Sequence, residues 1–123
     1  MPKFILIADD SETIRTVLRT FLESREGFEI CGEAVDGVDA IEKAKELHPD
    51  LIILDLAMPR MNGAAAASVF KRRMPKTPII LFTICDEAMG KALASAVNVD
   101  LVLAKPNGLN EMVTHVEELL GCE

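Results

Sequence analysis

Three aspartates, a threonine and a lysine close apolar runs in this 123-residue sequence. Residues 4–8 run into Asp9 and Asp10, and Leu51–Leu54 runs into Asp55. Residues 79–82 run into Thr83, and Leu101–Ala104 into Lys105-Pro106. If the runs are parallel strands, their carboxyl ends share one sheet edge, and three carboxylates, a hydroxyl and an ammonium meet there. Adjacent carboxylates such as Asp9 and Asp10 repel each other unless a cation lies between them. A hard cation such as Mg²⁺ takes oxygen ligands, typically one or two carboxylates with several waters, at about 2.1 Å. Asp55 would add a third carboxylate, and a lysine beside them suits a phosphoryl group. One such acid would read as a solvated loop residue, but three at two strand ends facing a lysine argue for a common site.

The elements that must position these residues follow from periodicity. Short apolar runs alternate with amphipathic segments, the pattern of βαβ units and a parallel sheet. A strand over Lys3–Ala8 leads to a helix capped by Ser11, with Ile14, Leu18, Phe21 and Leu22 on one face and Gly27 beyond its end. Phe28–Ala34 alternates as a sheet-edge strand should. Its expected faces are Phe28, Ile30 and Gly32 against Glu29, Cys31 and Glu33. Asp36-Gly37 turns into a helix carrying Val38, Ile41, Ala44 and Leu47, and Pro49-Asp50 closes it. Leu51–Leu54 and Ile79–Thr83 are continuous apolar runs that read as buried on both faces. Residues 58–63 are expected to be loop and 64–74 helix, with the alanines at 64–67 supplying helix propensity. Another helix starts at Asp86 or Glu87 and runs to about Val97. Asn107 is expected to cap a last helix bearing Leu109, Met112, Val113, Val116 and Leu120. Five βα units without repeat or linker make one doubly wound α/β domain over residues 1–123. Ligands in such folds bind at the carboxyl ends of the strands.

Composition narrows the function. The net charge of −7 argues against direct nucleic-acid binding, which needs clustered cations. The basic cluster Lys71-Arg72-Arg73 falls at a helix C-terminus, where the dipole favours it. Cys31, Cys85 and Cys122 are too dispersed for a disulfide framework or zinc site, and His48 and His115 are isolated. No apolar run reaches the ~20 residues of a membrane span, and a strand begins at Lys3 with no room for a signal peptide. The expected compartment is the cytoplasm.

This arrangement resembles the receiver domain of two-component response regulators, the CheY-like superfamily, over the whole chain. The matching residues are Asp9-Asp10, Asp55 within Asp55-Leu56-Ala57-Met58-Pro59-Arg60-Met61-Asn62-Gly63, Thr83, and Lys105-Pro106. The resemblance implies a flavodoxin-like (βα)5 fold with strand order 2-1-3-4-5. It implies that Asp55 accepts a phosphoryl group from a histidine kinase or phosphotransfer protein. Asp9, Asp10, Asp55 and the backbone carbonyl of Ala57 would hold Mg²⁺. Lys105 would bind a phosphoryl oxygen, aimed by a cis peptide to Pro106, and Thr83 would hydrogen-bond the attached group. The surface of the fourth helix, fifth strand and fifth helix would then switch an output domain or partner. Such a protein is no enzyme beyond its own phosphorylation and dephosphorylation.

The sequence departs from the family at Val102, where most receivers carry an aromatic switch residue. It departs again at Ile84, where a small residue is usual and a branched one is expected to crowd the route to Asp55. Ala57 and Cys85 occupy positions that tune hydrolysis in the family, and neither orients water, so a long-lived phosphoryl group is expected. The apolar fourth helix is compatible with a homodimer or partner surface, or with tight packing of small residues. A pseudo-receiver that binds partners without phosphorylation is the main alternative. A dehalogenase-type phosphatase would need an acid where Ala57 stands. A flavodoxin would need a glycine- and hydroxyl-rich loop where Asp9-Asp10-Ser11-Glu12 stands.

Overall fold

The alternating pattern folds as expected in the computed structural model, which describes residues 2–105 and 108–121. The strands are β1 (Lys3–Ala8), β2 (Phe28–Ala34), β3 (Leu51–Leu54), β4 (Ile79–Thr83) and β5 (Leu101–Ala104). The helices are α1 (Glu12–Glu23), α2 (Gly37–Leu47), α3 (Gly63–Arg73), α4 (Glu87–Val97) and α5 (Leu109–Leu120). All strand pairs are parallel, in the order β2-β1-β3-β4-β5. This is the flavodoxin-like topology that the resemblance implies.

Helices cover both faces because every central strand is apolar on both. On one face Leu18 and Leu22 of α1 and Met112 and Val116 of α5 pack on Ile5, Ile7, Ile53 and Phe82. On the other, Ala40 and Ala44 of α2 and Ala66, Ala67 and Phe70 of α3 pack on Leu6, Ile52, Leu54 and Leu81. Leu93 and Val97 of α4 only lean on that second cluster.

Helix starts follow their caps. Ser11, Asp36, Asn62 and Asp86 each accept a hydrogen bond from a backbone N–H three residues on. The cap at Asn62 starts α3 at Gly63, and the helix ends at Arg73 with Met74 as its C-cap, so each end lies one residue earlier than the expected 64–74. Asp86, rather than Glu87, caps α4. Gly108 precedes α5 without a side-chain cap bond, and the expected Asn107 cap lies outside the described residues.

Two expectations are corrected. The alternation of β2 breaks within the strand: Ile5 pairs with Ile30 but Leu6 with Gly32, so Cys31 is an extra residue. Cys31 joins the second cluster, and a Cβ at Gly32 would point to Leu47 and Leu6 on that same side. Glu33 is thereby turned to the α1 side, shared with Phe28 and Ile30, rather than lying opposite them. The alanine run is also more than helix propensity, since Ala66 and Ala67 are fully buried and let α3 approach the sheet.

Candidate functional site

The carboxyl ends of β1, β3, β4 and β5 deliver the predicted residues to one open cavity. It is lined by Asp9, Asp10, Ser11, Ile14, Asp55, Ala57, Ile84 and Lys105. Backbone pairing continues past the strand ends and fixes each residue at its root. The amides of Asp9, Asp55 and Lys105 donate to the carbonyls of Ala34, Ala8 and Thr83 at 3.0, 2.9 and 2.9 Å. Thr83 closes β4 and is buried.

Asp9 and Asp55 are 1% and 6% exposed, whereas Asp10 is open to solvent. Ligand oxygens of Asp9, Asp10 and Asp55 all lie within 4.8 Å of one another. Lys105 Nζ sits 2.7 Å from Asp9 Oδ2 and 3.3 Å from Asp55 Oδ2, bridging the two buried acids. Three carboxylates against one ammonium leave two negative charges, and the donors are oxygens that suit a hard divalent cation. Burial pushes the Asp55 carboxyl up from its ordinary pKa, and the neighbouring Asp9 carboxylate adds to that. Lys105 and the Thr83 hydroxyl pull the other way without cancelling it. Ionised Asp55 is therefore held at a cost that a cation would relieve.

The remaining residues singled out from sequence fall around this centre. Ile84 is 80% exposed and lines the open cavity beside Asp55. Val102 lines a separate groove between α4 and β5 with Cys85, Gly90 and Ala94. Pro106, and with it the cis peptide that the resemblance implies, lies outside the described residues, as does Cys122. Cys31 and Cys85 are free thiols, and burial pushes the Cys31 thiol up from its usual pKa.

Sequence reasoning missed two ion-paired groups near the site. Arg15 of α1 donates to the Asp9 carbonyl oxygen at 2.7 Å and to Glu33 at 2.9 Å. Glu33 also takes Arg19, and the two arginines outweigh burial, holding its carboxyl below the usual range. Arg60, in the loop after β3, forms a two-pronged pair with buried Asp36 at 2.8 and 3.1 Å. That pairing, with the bond from the Asp39 amide, holds the Asp36 carboxyl below its ordinary range. Arg60 and Asp36 lie 24 residues apart and no sequence spacing links them.

A parallel sheet in the order 2-1-3-4-5 whose carboxyl edge gathers three acids, a threonine and a lysine has the arrangement of the CheY-like class that the sequence resembles. The response regulator receiver domain family matches residues 5–117, and the chain belongs to it. Among curated relatives, a protein-glutamate methylesterase/protein-glutamine glutaminase of Pyrococcus horikoshii is 34% identical over 94% of this chain and 31% of its own length. The response regulator protein VraR of Staphylococcus epidermidis is 38% identical over 76% of this chain and 46% of its own length. The chain thus spans less than half of each. The crystal structure of the response regulator domain of Thermotoga maritima CheB superposes with a TM-score of 0.88 at 27% identity, covering 100% of this chain and 99% of that one. Receiver domains work in phosphorylation-based signalling with histidine kinases or phosphotransfer proteins, and their acidic pocket binds Mg²⁺. Among the described residues no helix is long and apolar enough to cross a membrane.

Proposed function

We propose that Asp55 is the phosphoacceptor of this receiver and that Asp9, Asp10, Asp55 and the Ala57 carbonyl hold Mg²⁺. The observation that carries this reading is the clustering of three carboxylates within 4.8 Å, two of them bridged by the Lys105 ammonium. When bound, the cation would screen an anionic nucleophile from an anionic donor. An Asp55 carboxylate oxygen attacks phosphorus in the phosphohistidine of a kinase or phosphotransfer protein. The O–P bond forms as the P–N bond breaks, and the leaving imidazole nitrogen keeps the electron pair. Lys105 exchanges its bond to Asp55 for a phosphoryl oxygen and stabilises the spread charge of the transition state.

The attached group adds about −1.5 to −2 charges and three acceptor oxygens within reach of Thr83. Movement of the Thr83 hydroxyl towards it draws on the segment that leads into α4. That helix has no buried residue among its own, so it can shift at little packing cost. With valine at position 102, the response is carried by the backbone of α4 rather than by an aromatic side chain. The α4–β5–α5 surface would pass this change to an output domain, a partner or a second copy.

An amide NMR titration with Mg²⁺ and then beryllofluoride, which mimics the phosphoryl group, tests the reading. Mg²⁺-dependent shifts at Asp9, Asp10 and Asp55, followed by changes across α4 and β5, are expected. The changes across α4 and β5 at the beryllofluoride step should vanish in Asp55→Asn. A silent titration with the fold intact would instead identify a pseudo-receiver that works without phosphorylation.

A further inference from the structure

The loop between β3 and α3 would carry two of the cation's ligands, Asp55 and the Ala57 carbonyl, so its shape sets where they point. It is held at two places. Near α3, the Gly63 amide donates to the Leu56 carbonyl at 2.8 Å, and a Cβ at Gly63 would fall 2.2 Å from the Asp55 carbonyl oxygen. The other attachment comes from the turn after β2, which contributes no ligand. There the Gly37 amide donates to the Met61 carbonyl at 2.9 Å, and a Cβ at Gly37 would fall 2.4 Å from that oxygen. Alongside, Arg60 forks onto both oxygens of Asp36.

Three features separate this pair from an ordinary surface ion pair. Asp36 is 3% exposed, while the Arg60 side chain is 61% exposed, so the arginine reaches inward to a fixed carboxylate rather than packing in a core. Arg60 has φ 62°, a left-handed conformation that a non-glycine residue keeps only where its surroundings enforce it. Asp36 also caps α2 by accepting from the Asp39 amide at 2.8 Å, which anchors it to a helix. A two-pronged arginine–carboxylate pair fixes orientation as well as distance.

We propose that Asp36 and Arg60 are positioning residues that tie the metal loop to the α2 cap and so pre-aim the Ala57 carbonyl and Asp55 at the cation. This rests on the reading of Asp9, Asp10, Asp55 and Ala57 as the Mg²⁺ site. The pair touches neither the cation nor the phosphoryl group. Its effect is on how much the loop must reorganise when the cation binds.

The test is the Mg²⁺ dissociation constant by amide NMR for the wild type, Arg60→Ala, Arg60→Lys, Asp36→Asn and the double variant D36N/R60A. Metal-free melting is followed for each. Asparagine at 36 keeps a helix-capping oxygen while removing the charge. Each of Arg60→Ala and Asp36→Asn is expected to weaken Mg²⁺ binding about tenfold, the lower end for partners that orient metal ligands. The double variant should be no weaker than either single one, and Arg60→Lys should fall between wild type and alanine. Dissociation constants within twofold of wild type would overturn the pairing's role, as would additive losses in the double variant. Affinity losses that merely follow the drop in metal-free melting temperature would do the same. Absence of Mg²⁺ binding by the wild type would overturn the site reading itself, and the positioning role with it.

Discussion

The centre of the sheet and its α4–β5 margin are built to different standards. Every residue of β3 and β4 is buried, and so are the last four of β1. β5 has one buried residue and α4 has none, although α4 is as long as α2 and α3. Asp9 and Asp55, two of the acids proposed to hold the cation, grow from the closely packed part. The helix that follows Thr83 belongs to the loose part. Stability in a domain is not uniform, and segments that move are drawn from the weakly packed end. On the proposed function, the difference would keep the chemistry and the response of this receiver in separately packed regions, with Thr83 at the boundary.

The largest effect that could break this contrast is a matched pair of truncations. Ile53→Ala in β3 is expected to cost about 3–4 kcal/mol in urea unfolding, as buried isoleucine truncations do. Leu93→Ala in α4 should cost about 1 kcal/mol, near the centre of single-substitution effects. Equal losses would show that α4 is as firmly held as the central strands.

A second, intermediate effect sharpens it. The folded Asp55 carboxyl has a raised pKa, so the folded state binds its proton more tightly than the unfolded chain does. Stability is therefore lost as pH rises from the unfolded value, near about 4, through the folded value. Asp55→Asn removes that penalty and should raise the metal-free melting temperature at neutral pH. The gain should disappear below about pH 4, and Mg²⁺ should stabilise the wild type more than the variant. A metal-free melting temperature lowered by Asp55→Asn at neutral pH would contradict the assigned penalty. The smallest effect belongs to Met89, which is 51% exposed on α4. Met89→Ala should change stability by less than about 0.5 kcal/mol; a loss above 1.5 kcal/mol in the same urea assay would mean that α4 is anchored through its outer face.

Much of this molecule is legible in its sequence, for a physical reason. Elements whose apolar period is strong, such as α1 with Leu18 and Leu22 or the unbroken β3 and β4, announce themselves locally. Strand ends then place Asp9, Asp55, Thr83 and Lys105 together without further information, because parallel strands share one carboxyl edge. What stayed hidden depends on register and reach. The extra residue at Cys31 is defined only against β1, so the faces of β2 could not be assigned from alternation alone. Ala66 and Ala67 look like helix formers until the closeness of α3 to the sheet is known. Arg15, Asp36 and Arg60 are ordinary charged residues in sequence, and only the fold brings Arg15 to the Asp9 carbonyl and Arg60 to Asp36.

The extra residue in β2 has a consequence for how this protein meets other chains. β2 is an outer strand of the sheet that meets no further strand on its free side, where the Ile30 amide donates to Glu23 and the Glu33 carbonyl accepts from Lys43. Such an edge is a template on which a foreign strand can add, the first step of aggregation. The interruption at Cys31 leaves three residues of regular pairing on either side, with exposed Glu29 in the first stretch. A bulge bends and twists the strand, so an incoming chain would lose register almost at once. The same residue that turns Glu33 towards Arg15 and Arg19 thus also makes the edge a poor template. Deleting Cys31 would leave Glu33 facing α1, because Gly32 and Glu33 already pair with Leu6 and Ile7, but it would make the strand regular and open the edge to association.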